Sequence, residues 1–322
     1  MPVPQPPLPT FEVGIVAPDI RRWLPGNTGI RGFITRESGV PGPHVALLAI
    51  VHGNEIAGAI VLDRLLDARL TPTRGRLTFG FVNIAAFERF DPRQPTVSRF
   101  VDEDINRVWD TAVLDGTRHT AELDRAREIR PLIDTVDVLL DLHSMLWPSD
   151  PLILCGASPK GRRLALAIGA PPLVVADQGH AGGRRLIDYA RFADPAMSCA
   201  ASLVEAGQHW QQATVDTMFA SVDGLLRYHA IAAPPPPATK GRPARFAEVT
   251  MAVTAASSNF VFLQPYRGCE VIARRNTLIA LDGDTEIRTP HDDCLLIMPS
   301  LRPSRGHTAV RLARFVAVER AA

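Results

Sequence analysis

"HVALLAIVHGNEIAGAI", residues 44–60, sets a short apolar run against a polar break and then a helical pattern. A continuous apolar run of this length reads as a strand buried on both faces, as in a parallel sheet. Residues 55–70, "EIAGAIVLDRLLDARL", space Ile56, Ile60, Leu62, Leu65, Leu66 and Leu70 near the helical period before "TPTRG" ends the segment. Between the two elements lie His52 and Glu55, three residues apart. In the first turn of a helix or in a tight loop, that spacing puts both side chains on one face.

The alternation continues along the chain. "RLTFGFVNI" (76–84), "VDVLLDLHS" (136–144), "PLILCG" (151–156), "PLVVAD" (172–177) and "CAASLVEAG" (199–207) read as further strands. Residues 120–134, 160–170 and 214–231 read as helices, with Thr120 as a cap and Pro131 expected to end or bend the first of them. The expected fold class is α/β: a three-layer domain with helices on both faces of a mostly parallel or mixed central sheet. This domain is assigned residues 1–231, beginning with a proline-rich stretch at residues 1–10. The proline run within 232–245 reads as a stiff linker. Residues 246–322 then carry short β-type runs broken by Gly, Asp-Gly and Pro, as expected of a small all-β domain.

Bulk composition narrows the function. Hydrophobic residues make up 46% and charged residues 21% of 322, enough to bury a real core in a soluble globular protein. The 35 Lys and Arg nearly cancel the 34 Asp and Glu, and no basic run stands out, which argues against nucleic acid or an anionic membrane as a partner. "MPVPQPPLPTFEVG" has neither a basic start nor an apolar core, so it does not read as a signal peptide. No apolar stretch approaches the ~20 residues needed to span a bilayer. Cys155, Cys199, Cys269 and Cys294 are far apart and form no CxxC pair, consistent with free thiols and a cytoplasmic location.

Open α/β sheets bind ligands beyond the carboxyl ends of their strands. His52 and Glu55 follow the first strand, Asp141 and His143 end "VDVLLDLHS", and Glu205 ends "CAASLVEAG". A lone HxxE arises often by chance, and a histidine at a strand end is ordinarily a hydrogen-bonded core residue. Two histidines and two glutamates on one sheet edge are harder to explain that way. Two imidazoles and one carboxylate, with an open fourth position, form the catalytic zinc arrangement. His52, Glu55 and His143 are the expected ligands of one Zn2+. The ion would polarise a carbonyl and bring the pKa of its water toward ~7. Glu205 would then serve as general base and pass the proton to the leaving nitrogen.

"HGNE", "SRFVDEDINRVW", "LLDLHS" and "LVEAG" occur in the order and rough spacing of the succinylglutamate desuccinylase/aspartoacylase family, which the chain resembles from about residue 44 to 230. "LIALDGDTEIRTPHDDCLLIMP" is similar, more faintly, to the family's tail. The resemblance implies a zinc-carboxypeptidase-like fold and a hydrolase that cleaves the amide of a small N-acyl amino acid. It also implies that His52, Glu55 and His143 hold zinc and that Glu205 is general base and acid. By position, Arg99 matches the arginine that stabilises the carbonyl oxyanion, and Asn106 and Arg107 match the pair that holds a substrate carboxylate. A guanidinium suits that task because it donates two parallel hydrogen bonds. Asp141 is placed to orient a histidine ligand.

Departures from the family pattern bear on the substrate. Ile84 follows Asn83 where the family has proline. The C-terminal stretch "PSLRPSRGHTAVRLARF" lacks the tyrosine that helps bind the aspartate moiety in aspartoacylase. Pro195 stands ten residues before Glu205, where aspartoacylase has an arginine; Arg184 and Arg191 are the nearby replacements. N-acetylaspartate is therefore not the expected substrate. A carboxylate-bearing N-acyl compound is the expected partner, and a homo-oligomer stays open.

Three other readings compete. A zinc metallocarboxypeptidase would use Asn106 and Arg107 on a peptide's terminal carboxylate, and a panel of N-acyl amino acids against short peptides separates it. A non-haem iron facial triad uses the same ligand types, but it leaves Glu205 and the Arg99, Asn106 and Arg107 group without a task. A non-enzymatic scaffold leaves every one of those side chains idle.

Overall fold

In the computed structural model, which describes residues 10–180, 182–232 and 243–317, the apolar run at residues 44–49 forms a strand buried along its whole length. Successive side chains of a strand face opposite sides. Val45, Leu47 and Ala49 accordingly join one hydrophobic cluster, and Ala46 and Leu48 join another. The first cluster is completed by helices α1 (Ile56–Asp67) and by those at Pro159–Ile168 and Gln212–Tyr228. The second is completed by the helix at Ala121–Ile133.

The strands run β1 (Phe33–Glu37), β2 (His44–Ala49), β3 (Arg76–Phe81), β4 (Val138–Met145), β5 (Leu152–Leu154), β6 (Leu173–Ala176), β7 (Ala200–Gln208), β8 (Arg245–Thr254), β9 (Phe260–Phe262), β10 (Val271–Ile272), β11 (Leu278–Asp282), β12 (Thr285–Arg288), β13 (Cys294–Ile297) and β14 (Thr308–Val316). After α1 come α2 (Ile84–Phe87), α3 (Thr111–Leu114), α4 (Ala121–Ile133), α5 (Pro159–Ile168), α6 (Ala190–Ala193) and α7 (Gln212–Tyr228). Eleven strands form one mixed sheet in the order β1-β3-β2-β4-β7-β5-β6-β8-β14-β13-β10, and β12-β11-β9 form a separate antiparallel sheet. In the centre, β3, β2, β4 and β7 are parallel, so their carboxyl ends lie on one edge.

Several local features follow from single residues. Thr120 caps α4 by accepting the Leu123 N–H at 3.1 Å. Pro131 does not end that helix, which continues to Ile133. Asp282, Gly283 and Asp284 turn β11 back onto β12, with Gly283 at φ +60°. The charged strands β1, β12 and β14 lack the apolar runs that mark the central strands, and their positions show only in the folded chain.

The C-terminal segment does not begin a new sheet. Strand β8 pairs in parallel with β6, and β14 pairs with β8, so the main sheet continues into residues beyond 245. The proline-rich N-terminus at residues 1–9 and residues 233–242 of the expected linker lie outside the described residues.

Gly53 locks the turn between β2 and α1 against α2. A Cβ at this position would lie 2.3 Å from the Ala86 carbonyl carbon and 2.4 Å from the Phe87 nitrogen, so a side chain forces backbone to move. We predict that Gly53→Ala lowers the unfolding free energy by about 1–3 kcal/mol, the usual range for overpacking a tight contact. Chemical denaturation measures it; an unchanged midpoint would show that residues 84–87 yield freely.

Candidate metal centre and active site

The turn after β2 brings its two polar residues together as the spacing requires. Ile50 sits at φ +51°, and the Glu55 N–H donates to the His52 carbonyl at 3.1 Å, so the pair occupies a tight turn just ahead of α1. His52 Nδ1 lies 2.6 Å from Glu55 Oε1. On the neighbouring strand β4, His143 Nδ1 lies 3.1 Å from Glu55 Oε2, and the Ser144 N–H donates to that same oxygen at 2.9 Å. One further strand over, Glu205 of β7 stands directly beside His143 in the ladder. His143 and Glu205 thus lie within their strands, near the carboxyl ends, rather than beyond them.

All four side chains are buried. Ligand-type atoms of His52, Glu55 and His143 lie within 4.8 Å of one another. Their outer ring nitrogens meet carboxylates: His52 Nε2 is 3.0 Å from Asp104 Oδ1, and His143 Nε2 is 2.8 Å from Asp141 Oδ2. A metal-bound histidine ordinarily turns its second nitrogen toward a carboxylate in this way, which leaves the first nitrogen for the ion. The donor set of both Nδ1 atoms and the Glu55 carboxylate could therefore hold a metal ion.

The charges support one another. Burial alone would raise the Glu55 carboxyl, but His52 and His143 hold it well below the usual carboxylate range. Burial alone would depress His143, but Asp141 and Glu55 hold it well above the ordinary imidazole value. Glu205 differs. Burial, then the nearby Glu55 charge, pushes its carboxyl up to about 8, against the pull of His143, Arg99 and Arg311. Its Oε2 is buried with no hydrogen-bond partner. His209, which shares a 2.7 Å contact with Ser144 Oγ, is pushed by burial down to about 4 and stays neutral.

Arg99, Asn106 and Arg107 come from the irregular stretch between α2 and α3, and that stretch is organised from below. The buried Glu122 carboxylate accepts the N–H groups of Val101, Asp102 and Glu103 at 2.6, 2.9 and 3.2 Å and the Asn83 amide at 3.0 Å. Asn83 also caps α2 by accepting the Ala86 N–H, and the first residue of that helix, Ile84, is buried. Arg99 reaches His52 Nε2 at 2.9 Å and Glu55 Oε1 at 3.5 Å. Because Nε2 either accepts from Arg99 or donates to Asp104, the two contacts belong to different imidazole tautomers. Asn106 accepts the Leu186 N–H through Oδ1 at 2.8 Å, so its amide orientation is fixed. Burial, with Arg99, Arg185 and Arg311 nearby, brings the Arg107 guanidinium down to about 10, although Asp104 opposes the shift.

Asp141 stands behind His143, and the seven residues that the sequence assigns to metal, catalysis and substrate line one cavity of about 230 Å³. Its walls also include residues that sequence reasoning did not single out: Arg185 and His180 from the loop after β6, Trp147 and Ser149 after β4, and Met298, Thr308 and Arg311 from the C-terminal segment. Asp104 was likewise passed over, although it touches His52, Arg99 and Arg107. Arg184 and Arg191 do not line the cavity. Arg184 pairs with Asp110, and Arg191 donates to the Ile133 carbonyl. The guanidiniums that do enter this side are Arg185, held by Asp177 and Asp188, and Arg311, whose Nε lies 3.3 Å from Asp177.

Comparison with known proteins places these residues in context. The family model for the succinylglutamate desuccinylase/aspartoacylase catalytic domain matches residues 41–228. No curated protein matches the chain in sequence. Among solved structures, succinylglutamate desuccinylase from Vibrio cholerae superposes with a TM-score of 0.68 at 17% identity, over 88% of this chain and 86% of that one. The Vibrio parahaemolyticus protein of the same name gives 0.66 at 16% identity, over 89% and 87%. A succinylglutamate desuccinylase/aspartoacylase from Rhodobacter sphaeroides gives 0.65 at 18% identity, over 89% and 88%. At these identities the structures establish a shared fold.

The raised Glu205 carboxyl has a consequence for stability. An acid whose folded value lies above its ordinary 4.5 favours the folded state below that value and loses the advantage as pH rises through about 8. In metal-free protein, Glu205→Gln should therefore gain stability relative to the natural chain as pH rises from 4.5 to 8. Denaturation midpoints across that window test this, and a constant difference would count against it.

Proposed function

Because the chain belongs to the succinylglutamate desuccinylase/aspartoacylase family, we propose that it is a zinc-dependent amidohydrolase that removes the acyl group from a small, carboxylate-bearing N-acyl amino acid. The observation that carries this reading is Glu205: a buried carboxyl with one unpartnered oxygen, raised to about 8, beside a His-Glu-His set within 4.8 Å. We assign the catalytic machinery to a three-layer, zinc-carboxypeptidase-like domain that precedes residue 232, with the segment beyond residue 245, which extends its sheet and carries the separate β12-β11-β9 sheet, walling its cavity. The absence of disulfides among Cys155, Cys199, Cys269 and Cys294 supports a cytoplasmic setting.

Zinc held by His52, Glu55 and His143 would supply Lewis acidity for the scissile carbonyl and for water. The remaining work falls to the chain. Glu205 takes the proton from the attacking water and returns it to the leaving nitrogen; a carboxyl raised toward neutral pH serves well in both directions. Arg99, with its guanidinium 2.9 Å from His52, is placed to stabilise negative charge as it develops on the acyl oxygen. Arg107 and the free Nδ2 side of Asn106 hold the substrate carboxylate. Asp104 sets the position of all three neighbours, because it binds His52, Arg99 and Arg107 and caps the turn at Asn106. The cavity is closed on one side by Met298, Pro299, Thr308 and Arg311, which favours a small amide over a peptide.

Two measurements test the assignment. Glu205→Ala should abolish hydrolysis while bound metal, measured by elemental analysis, stays at the natural level; full turnover in that variant sinks the mechanism. Arg107→Ala should raise KM about tenfold to a hundredfold with a smaller change in kcat, because a charge-assisted contact to a bound carboxylate contributes about 1.5–3 kcal/mol. An unchanged KM would remove Arg107 from substrate binding.

A further inference from the structure

Part of the cavity wall is apolar and is braced by residues outside the cavity. Immediately after β4, Leu146, Trp147 and Pro148 line the cavity in succession, and Met298 faces it from the segment after β13. Trp147 is half-buried rather than packed into the core. Behind it, the Phe11 ring meets Trp147 edge-on at 5.7 Å and Trp210 at 5.9 Å. Trp210 is itself buried and donates from Nε1 to the Asn54 carbonyl in the turn that carries His52 and Glu55.

The other end of this loop is clamped by the C-terminal segment. The Gly268 N–H donates to the Pro148 carbonyl at 2.9 Å, the Asp150 N–H donates to the Gly268 carbonyl at 3.4 Å, and Arg267 pairs with Asp150 at 2.7 Å. The approach is so close that a Cβ on Gly268 would lie 2.2 Å from Ser149 Oγ. A large aromatic ring left facing a cavity, on a loop fixed at both ends, is a preformed apolar contact surface. Binding to a preformed surface incurs little ordering entropy.

We infer that Trp147 is a specificity-determining residue that receives an apolar group of the substrate. The inference rests on the amidohydrolase reading and deepens it: the substrate is an N-acyl amino acid with a carboxylate at one end and an apolar group of several carbons at the other. That group belongs either to the acyl half or to the amino-acid side chain.

The zinc-loaded protein is assayed on N-acetyl-L-alanine as reference, N-acetyl-L-phenylalanine and N-hexanoyl-L-alanine. We expect at least one apolar amide to exceed the reference in kcat/KM. Trp147→Ala should reduce that preference about tenfold, the scale at which a hydrophobic pocket discriminates. Trp147→Phe, which keeps a ring and guards against misfolding, should retain most of it. The amide whose advantage falls identifies the half that meets Trp147. Turnover without preference for either apolar amide, or a preference that survives in Trp147→Ala, overturns the inference and leaves the amidohydrolase reading standing. If the natural protein hydrolyses none of the three, the amidohydrolase reading fails. Calorimetric binding of the same compounds then decides the inference: tighter binding of an apolar compound that weakens about tenfold in Trp147→Ala upholds it. Equal affinities, or no binding, overturn it.

Discussion

Burying the Glu55 carboxylate where β2 meets β4 demands donors or positive charge on every side, and three chain segments supply them. His52 comes from its own turn, His143 and the Ser144 N–H from the adjacent strand, and Arg99 from the loop beyond α2. An isolated carboxylate in such a place would be strongly disfavoured. The surrounding architecture can be understood as the means of keeping those donors in place. Gly53 presses the turn against α2, the Gly53 N–H reaches the Arg99 carbonyl at 3.0 Å, and Glu122 gathers the backbone of residues 101–103.

The same cluster shows how burial separates two carboxyls into different roles. Glu55 has imidazoles at 2.6 and 3.1 Å and remains ionised. Glu205 lies beside it without a close cationic partner, so it answers to burial and to the Glu55 charge, and its carboxyl rises. Pairs of titratable groups driven apart by their surroundings are how one site holds both a fixed anion and a movable proton.

How much of this the sequence discloses depends on whether a residue's partner is near in the chain or marked by a strand. His52, Glu55, His143 and Glu205 each end an apolar run, and central parallel strands place their carboxyl ends together, so their meeting was legible. Arg99, Asn106 and Arg107 lie in an irregular stretch with no periodicity, and only family resemblance singled them out. Asp104, in the same stretch, looked like one more acidic residue among Asp102 and Glu103; its contact with His52 spans 52 residues. Glu122 reads as an exposed helical acid and is fully buried instead. Pro131, by contrast, lies inside α4, which runs two residues past it before ending at Ile133.

The C-terminal wall was the least legible part because its residues reach the cavity only through sheet pairing. Arg311 stands in a strand whose charges mask any alternation, and β14 is tied to the catalytic strands through β8 and β6. That pairing carries Arg311 to Asp177, which Arg185 also grips. Asp177 thus meets two guanidiniums and Asp188 meets one of them, and burial together with the neighbouring guanidiniums depresses Arg107 and Arg311. The C-terminal segment therefore builds the cavity in two ways: Arg311 lines it directly, and Gly268 fixes the loop that carries Trp147.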